Sequence, residues 1–186
     1  MDNSANRQYP NRHSIRLKGY DYSQPGAYFV TICTHHNECL FGEVVNGDMV
    51  LNALGEQVRF TWFDLVNHVP NIELGPFGIM PNHVHGVIEI VDGSVVGAGS
   101  GPAMVRAGSE PARTEPARTP IPLSEIVRQF KTFSARRVNA LRGLSGVPVW
   151  HRNYWEHIIR NEESYEKIAM YITHNPLQWE MDRFHR

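Results

Sequence analysis

The sequence predicts an α+β fold of the ferredoxin-like kind, an antiparallel sheet with helices packed on it. Three observations predict it. Strand-like and helix-like segments alternate in the order βββαββ, gap, αβα. An Asn-Gly pair sits between two β-branched runs, which marks a hairpin. Between the strand-like runs, apolar residues recur at three- and four-residue spacing, as on one face of a helix.

Ala27 to Thr34 (AYFVTICT) is aromatic and β-branched and reads as the first strand. Leu40 to Asn52 carries VVNGDMVL, a hairpin turning at Asn46-Gly47. Leu54, Val58, Trp62, Leu65, Val66 and Val69 then trace an amphipathic helix ending near Pro70. Ile72 to Met80 and His85 to Val91 are two further strands flanking Pro81-Asn82.

The segment Asp92 to Pro120 is rich in Gly, Ser, Ala, Pro and Thr and holds the direct repeat EPARTEPART. It has too few large apolar side chains to offset the entropy of ordering and is expected to be a disordered loop. Beyond it, Ser124 is the expected N-cap of a helix reaching about Arg142, where Gly143 stops it. Ile126, Phe130, Phe133 and Leu141 form its apolar stripe, and Arg137 falls inside that stripe, so it must snorkel, pair with an acid or reach a ligand. Val149 to Ile159 is strand-like, and Asn161 caps a last helix that closes at Asn175-Pro176.

With 186 residues, 41% hydrophobic and 20% charged, the chain can bury a core of its own. The expected organisation is a basic and aromatic arm over 1–26 and one catalytic domain over 27–186, interrupted by the loop at 92–120. No run of eighteen apolar residues is present, and the polar N-terminus lacks the apolar stretch of a signal peptide, so a cytoplasmic protein with no membrane association is expected. Cys33 and Cys39 lack zinc-ligand spacing and are read as reduced and structural. A net charge of −1 argues against a non-specific duplex binder, so any nucleic-acid surface must be local.

The chemistry centres on MPNHVHGVIE, Met80 to Glu89. Residues two apart on a strand face the same way, so His83 and His85 can share one divalent cation. A metal for phosphate chemistry polarises the phosphoryl oxygen and leaves attack to another group. On the last helix Tyr171 and Asn175 lie about 40° apart at 100° per residue, so both can leave one edge of the buried stripe. A phenol is a weak nucleophile, but its phosphodiester conserves the energy of the broken bond for rejoining. An amphipathic rim residue is the plainer reading of Tyr171.

PNHVHG in a strand, followed by WHRNYWEHIIRNEESYEKIAMYITHNPLQW, resembles the REP-associated tyrosine transposases, a branch of the HUH single-tyrosine transposases with the IS200-like transposase fold. SIRLKGYDYSQPGAYFVTICT and FGEVVNGDMVLN extend the likeness to nearly the whole chain outside the loop. The resemblance implies a histidine pair at His83 and His85 binding Mg2+ or Mn2+. It also implies a nucleophile at Tyr171 that attacks single-stranded DNA and leaves a 5′-phosphotyrosine and a free 3′-hydroxyl. The residue four beyond the tyrosine, Asn175, would complete the metal site, with His174 as a competing imidazole. Tyr165 and Tyr154 are expected to be structural, and the role of His157 stays open.

The implied partners are single-stranded DNA hairpins of REP-like palindromes. Arg12, Arg16 and Lys18, alternating with His13, Tyr20 and Tyr22, carry the cations and aromatics of a single-strand site, and on composition alone a disordered polar leader accounts for them equally well. Arg128 and Lys131, with Arg142, offer a second basic surface, although solvated charge is the commoner reading of such a face. The chain is expected to act as a monomer or homodimer. Two other functions fit the same residues: a hairpin-binding protein without catalysis, and a metal-dependent hydrolase using water with Glu89 or Glu156 as base.

Overall fold

The computed structural model describes residues 16–17, 19–92 and 121–185. Arg12, Lys18 and the expected disordered loop, apart from Asp92, lie outside the described residues. The strands are β1 (Gly26–Cys33), β2 (Gly42–Val45), β3 (Asp48–Leu51), β4 (Ile72–Met80), β5 (His83–Ile90) and β6 (Trp155–Ile159). The helices are α1 (Ala53–Asp64), α2 (Leu123–Leu141) and α3 (Glu162–His174). This is the expected order of elements.

A four-stranded sheet runs β4-β5-β1-β6, with β1 antiparallel to β5 and β6, and β4 antiparallel to β5. With the β2–β3 hairpin set aside, the chain order βαββαβ and this strand order give the ferredoxin-like arrangement. The hairpin turns at Asn46 and Gly47, both with positive φ, as Asn-Gly demands.

The register puts Tyr28, Val30 and Ile32 of β1 on one sheet face with Val84 and Ile88 of β5. All five are fully buried, together with Val58 and Trp62 of α1 and Leu123, Ile126 and Phe130 of α2. This is the main core. Arg137 resolves its position in the α2 stripe by pairing, donating to Asp64 Oδ2 at 2.8 Å and to Thr61 Oγ1 at 3.0 Å. The opposite face is covered by α3, where Ile172, Ile168 and Tyr165 pack on Val87, Ile159 and Phe29.

Four boundaries differ from the sequence reading. Helix α1 ends at Asp64, and a 3-10 turn, Leu65–Asn67, carries the chain on toward Pro70. The cap of α2 is Pro122, whose successor Leu123 donates its amide to the Tyr22 carbonyl at 3.0 Å, so Ser124 lies inside the helix. Strand β5 begins at His83. Pairing in the 149–159 segment is confined to β6 and a single bridge, Thr34 to Trp150. Between them the carbonyls of His151 and Arg152 accept from Lys131 Nζ at 2.7 and 3.0 Å, which removes them from any strand ladder.

Gly86 marks the closest packing of helix on sheet. A Cβ there would lie 2.4 Å from Trp62 Cζ2, and the Trp62 ring is stacked on Phe77 at 4.4 Å. Gly86→Ala is expected to destabilise the fold by about 2–3 kcal/mol, as overpacking of a rigid core does, read as a lower denaturation midpoint with an unchanged m-value.

Candidate metal and nucleophile site

The site grows from the tight turn between β4 and β5. Asn82 is fully buried there, and its Nδ2 donates to the carbonyls of Asn37 at 3.2 Å and Phe184 at 2.7 Å. With both amide protons used, its Oδ1 faces His83 Nδ1 at 2.8 Å. His83 must therefore carry its proton on Nδ1, and its Nε2 offers a lone pair.

His83 Nε2 lies 2.9 Å from His85 Nε2, and His85 Nδ1 lies 2.9 Å from Thr31 Oγ1. The Thr31 hydroxyl can donate or accept. In one arrangement His85 holds its proton on Nε2 and donates it to His83 Nε2, accepting from Thr31 at Nδ1. When His85 instead protonates Nδ1 and donates to Thr31, both Nε2 lone pairs face one point, as two ligands of one cation do. Burial pushes the His83 pKa down to about 4, against the pull of Asp182. Burial and the neighbouring His83 push His85 well down too. Both rings are neutral near pH 7, the form that binds metal.

Asp182 completes the group. Its carboxylate and the two imidazoles have ligand atoms within 4.8 Å of one another. It arrives on a 3-10 turn, Pro176–Met181, that follows α3 directly. Sequence reasoning missed it, because a helix stop at Asn175-Pro176 says nothing of a turn restarting at the proline, a residue that fits a first helical turn. Asn175 is buried, and its Nδ2 donates to Asp182 Oδ2 at 3.1 Å while its Oδ1 is buried with no hydrogen-bond partner among the described residues. His174 is exposed, with Nδ1 on the Met170 carbonyl at 2.8 Å, and is turned away from the group. Two neutral imidazoles, a carboxylate and an orphaned amide oxygen fit a divalent cation with mixed nitrogen and oxygen preference.

Tyr171 stands over this group, with Oη 3.4 Å from His85 Nε2 and the ring edge-on to His85 and Phe29. The close approach of α3 depends on Gly78, where a Cβ would lie 2.9 Å from Ile172 Cγ2. The phenol is 40% exposed, open to solvent, and its pKa is raised chiefly by burial and further by Asp182. Tyr165 donates to Glu89 Oε1 at 3.0 Å, and Tyr154 accepts from Arg16 at 2.9 Å, so both rival tyrosines have structural partners.

The two candidate bases for water are poorly placed. Glu156 pairs across from Val30, on the sheet face away from the histidines, where Arg16 lies 3.3 Å from it. Glu89 shares the histidines' face but lies four residues along β5, about 13 Å from His85, and receives the Tyr165 hydroxyl.

The basic residues divide. Arg16, Arg128 and Lys131 line one groove of about 560 Å³ with Arg152, Trp150 and Tyr154. Arg128 is held by both oxygens of Glu125 at 2.6 Å, and burial pushes the Lys131 pKa down to about 8. Cys33 is buried, Cys39 is exposed, and neither is in a disulfide.

No family model matches the chain. An uncharacterized protein of Haemophilus influenzae is 41% identical over 188 residues, spanning the whole of this chain and 99% of that protein. A REP-associated tyrosine transposase solved bound to a REP hairpin superposes with a TM-score of 0.54 at 18% identity, covering 88% of this chain and 73% of that one. Among the described residues no helix is long and apolar enough to cross a membrane. The chain belongs to the same family as the Haemophilus influenzae protein, and its fold is that of the REP-associated tyrosine transposase.

Proposed function

We propose that the protein is a metal-dependent endonuclease and strand-transferase that cuts and rejoins single-stranded DNA beside hairpins of the REP type. The observation that carries this reading is the position of Tyr171 Oη, 3.4 Å from His85 Nε2, over two neutral buried imidazoles grouped with Asp182. The fold shared with a transposase that binds a REP hairpin supports the same reading.

His83, His85 and Asp182 would hold Mg2+ or Mn2+, with the Asn175 Oδ1 as a further oxygen donor. The bound ion would polarise a non-bridging phosphate oxygen. Tyr171 Oη attacks phosphorus, the bond from phosphorus to O3′ breaks, and the 3′ oxygen leaves as a hydroxyl after taking a proton from solvent water. The phenol proton passes to solvent, to which Tyr171 is open. The product is a 5′-phosphotyrosine, and attack by a 3′-hydroxyl on it restores a phosphodiester and frees the tyrosine. Asn175 positions the Asp182 carboxylate through its amide and orients the ligand set.

The DNA backbone would follow the groove lined by Arg16, Arg128, Lys131 and Arg152, with Trp150 and Tyr154 beside it for unstacked bases. In that lining Trp150 bridges Thr34, one residue past the Cys33 to His83 pair, and Tyr154 leads directly into β6 on the sheet edge.

The test is a hairpin pool with randomised single-stranded flanks, incubated with Mn2+ or chelator and run on a denaturing gel. A covalent adduct is expected with metal, and Tyr171→Phe should abolish it while hairpin affinity stays within about threefold, since the ring remains. Binding without an adduct in wild type would leave a hairpin-binding protein. Cleavage without one would indicate a water nucleophile. Asp182→Asn should lower Mn2+ affinity at least about tenfold, as loss of a charged ligand does, measured by titration followed by paramagnetic resonance. Hairpin affinity should also fall between pH 7 and 9, because Lys131 loses its charge through about pH 8; Lys131→Met should flatten that part of the profile.

A further inference from the structure

Arg183 lies one residue past Asp182, with its guanidinium 5.4 Å from the centre of the Trp155 ring and 4.5 Å from that of Phe184. Those two rings pack on each other at 5.7 Å. Phe184 is buried against His83 at 4.8 Å, and its carbonyl is tied down by Asn82. Among the described residues Arg183 is in no ion pair with a carboxylate, while Arg16, Arg59, Arg128 and Arg137 each have one. The positive charge of Arg183 acts on His83, His85 and Tyr171. Trp155 is 41% exposed and pairs across from Thr31, the residue that orients His85, so it stands on the same sheet face at the open edge.

A cation held against two aromatic rings, with no carboxylate partner among the described residues and next in the chain to a member of the ligand set, is built to receive an anion. A cation held by His83, His85 and Asp182 would neutralise part of the charge on a bound phosphodiester, and the remaining phosphate charge needs a donor of its own. Resting on the strand-transferase reading above, we propose that Arg183 is that donor, a clamp on the scissile phosphate held in place by the Trp155 and Phe184 rings. The exposed remainder of the Trp155 ring flanks the same phosphate. The fork of N–H groups can bind a phosphate oxygen in the ground state and tighten on the pentacovalent transition state, where negative charge grows.

The clamp is tested with Arg183→Gln and Arg183→Lys in the full chain. In single-turnover adduct formation Arg183→Gln should slow the reaction about 100-fold or more, the scale for losing one such donor. Arg183→Lys, which keeps charge but not the fork, should recover only part of the rate. Mn2+ affinity of both variants should stay within about twofold of wild type, which separates a clamp from a prop for Asp182. Independently of chemistry, binding of a twelve-residue oligothymidine by the Tyr171→Phe protein should lose about one unit of salt dependence when Arg183→Gln is added. If wild type reacts and Arg183→Gln reacts within threefold of it, the clamp is wrong. If wild type never reacts, the strand-transferase reading fails, and an unchanged salt slope in the oligothymidine experiment overturns the clamp as well.

Discussion

The site depends on one buried amide. Asn82 spends both Nδ2 protons on the carbonyls of Asn37 and Phe184, and only then does its oxygen fix the His83 tautomer. The same side chain thereby joins three parts of the chain: the segment after β1, the turn before β5 and the C-terminal turn that carries Asp182. A buried polar group this well connected is costly to disturb, since each partner would be left unsatisfied in a dry environment. Ligand orientation and the docking of the C-terminal turn are therefore one event.

The sheet separates two tasks. One face holds the large core with α1 and α2, where Gly86 lets the Trp62 ring lie against the backbone between the two histidines and the rest of β5. The other face is thinly covered by α3, and Phe29 stacks on His85 at 5.4 Å. A rigid strand backed by a dense core sets the imidazoles, and a short helix seated on Gly78 brings the phenol to them. Precision comes from the packed face and access comes from the open one.

Much of this was legible in the sequence, for physical reasons. Strand and helix periodicity, the Asn46-Gly47 turn and the Asn161 cap are local signals, and each formed where local chemistry placed it, the cap accepting from the Ser164 amide at 2.9 Å. The histidine pair was legible because two residues apart on any strand share a face. Partners that meet only through tertiary structure were not. Asp182 carries no periodic signal and reaches the site on a 3-10 turn, Ser124 lost the cap position to a contact with Tyr22, and the 151–154 segment stayed out of the sheet because Lys131 took its carbonyls. Trp155 could not be told from a core tryptophan, because exposure on an edge strand is set by what covers that edge.

The account stands or falls on which atom becomes linked to DNA. The direct measurement is peptide mapping by mass spectrometry of the protein after reaction with hairpin DNA and Mn2+, followed by nuclease trimming of the attached strand. The account predicts a nucleotide 5′-phosphate on the peptide containing Tyr171. A nucleotide on Tyr154 or Tyr165, or cleaved DNA with every tyrosine unmodified, would contradict it.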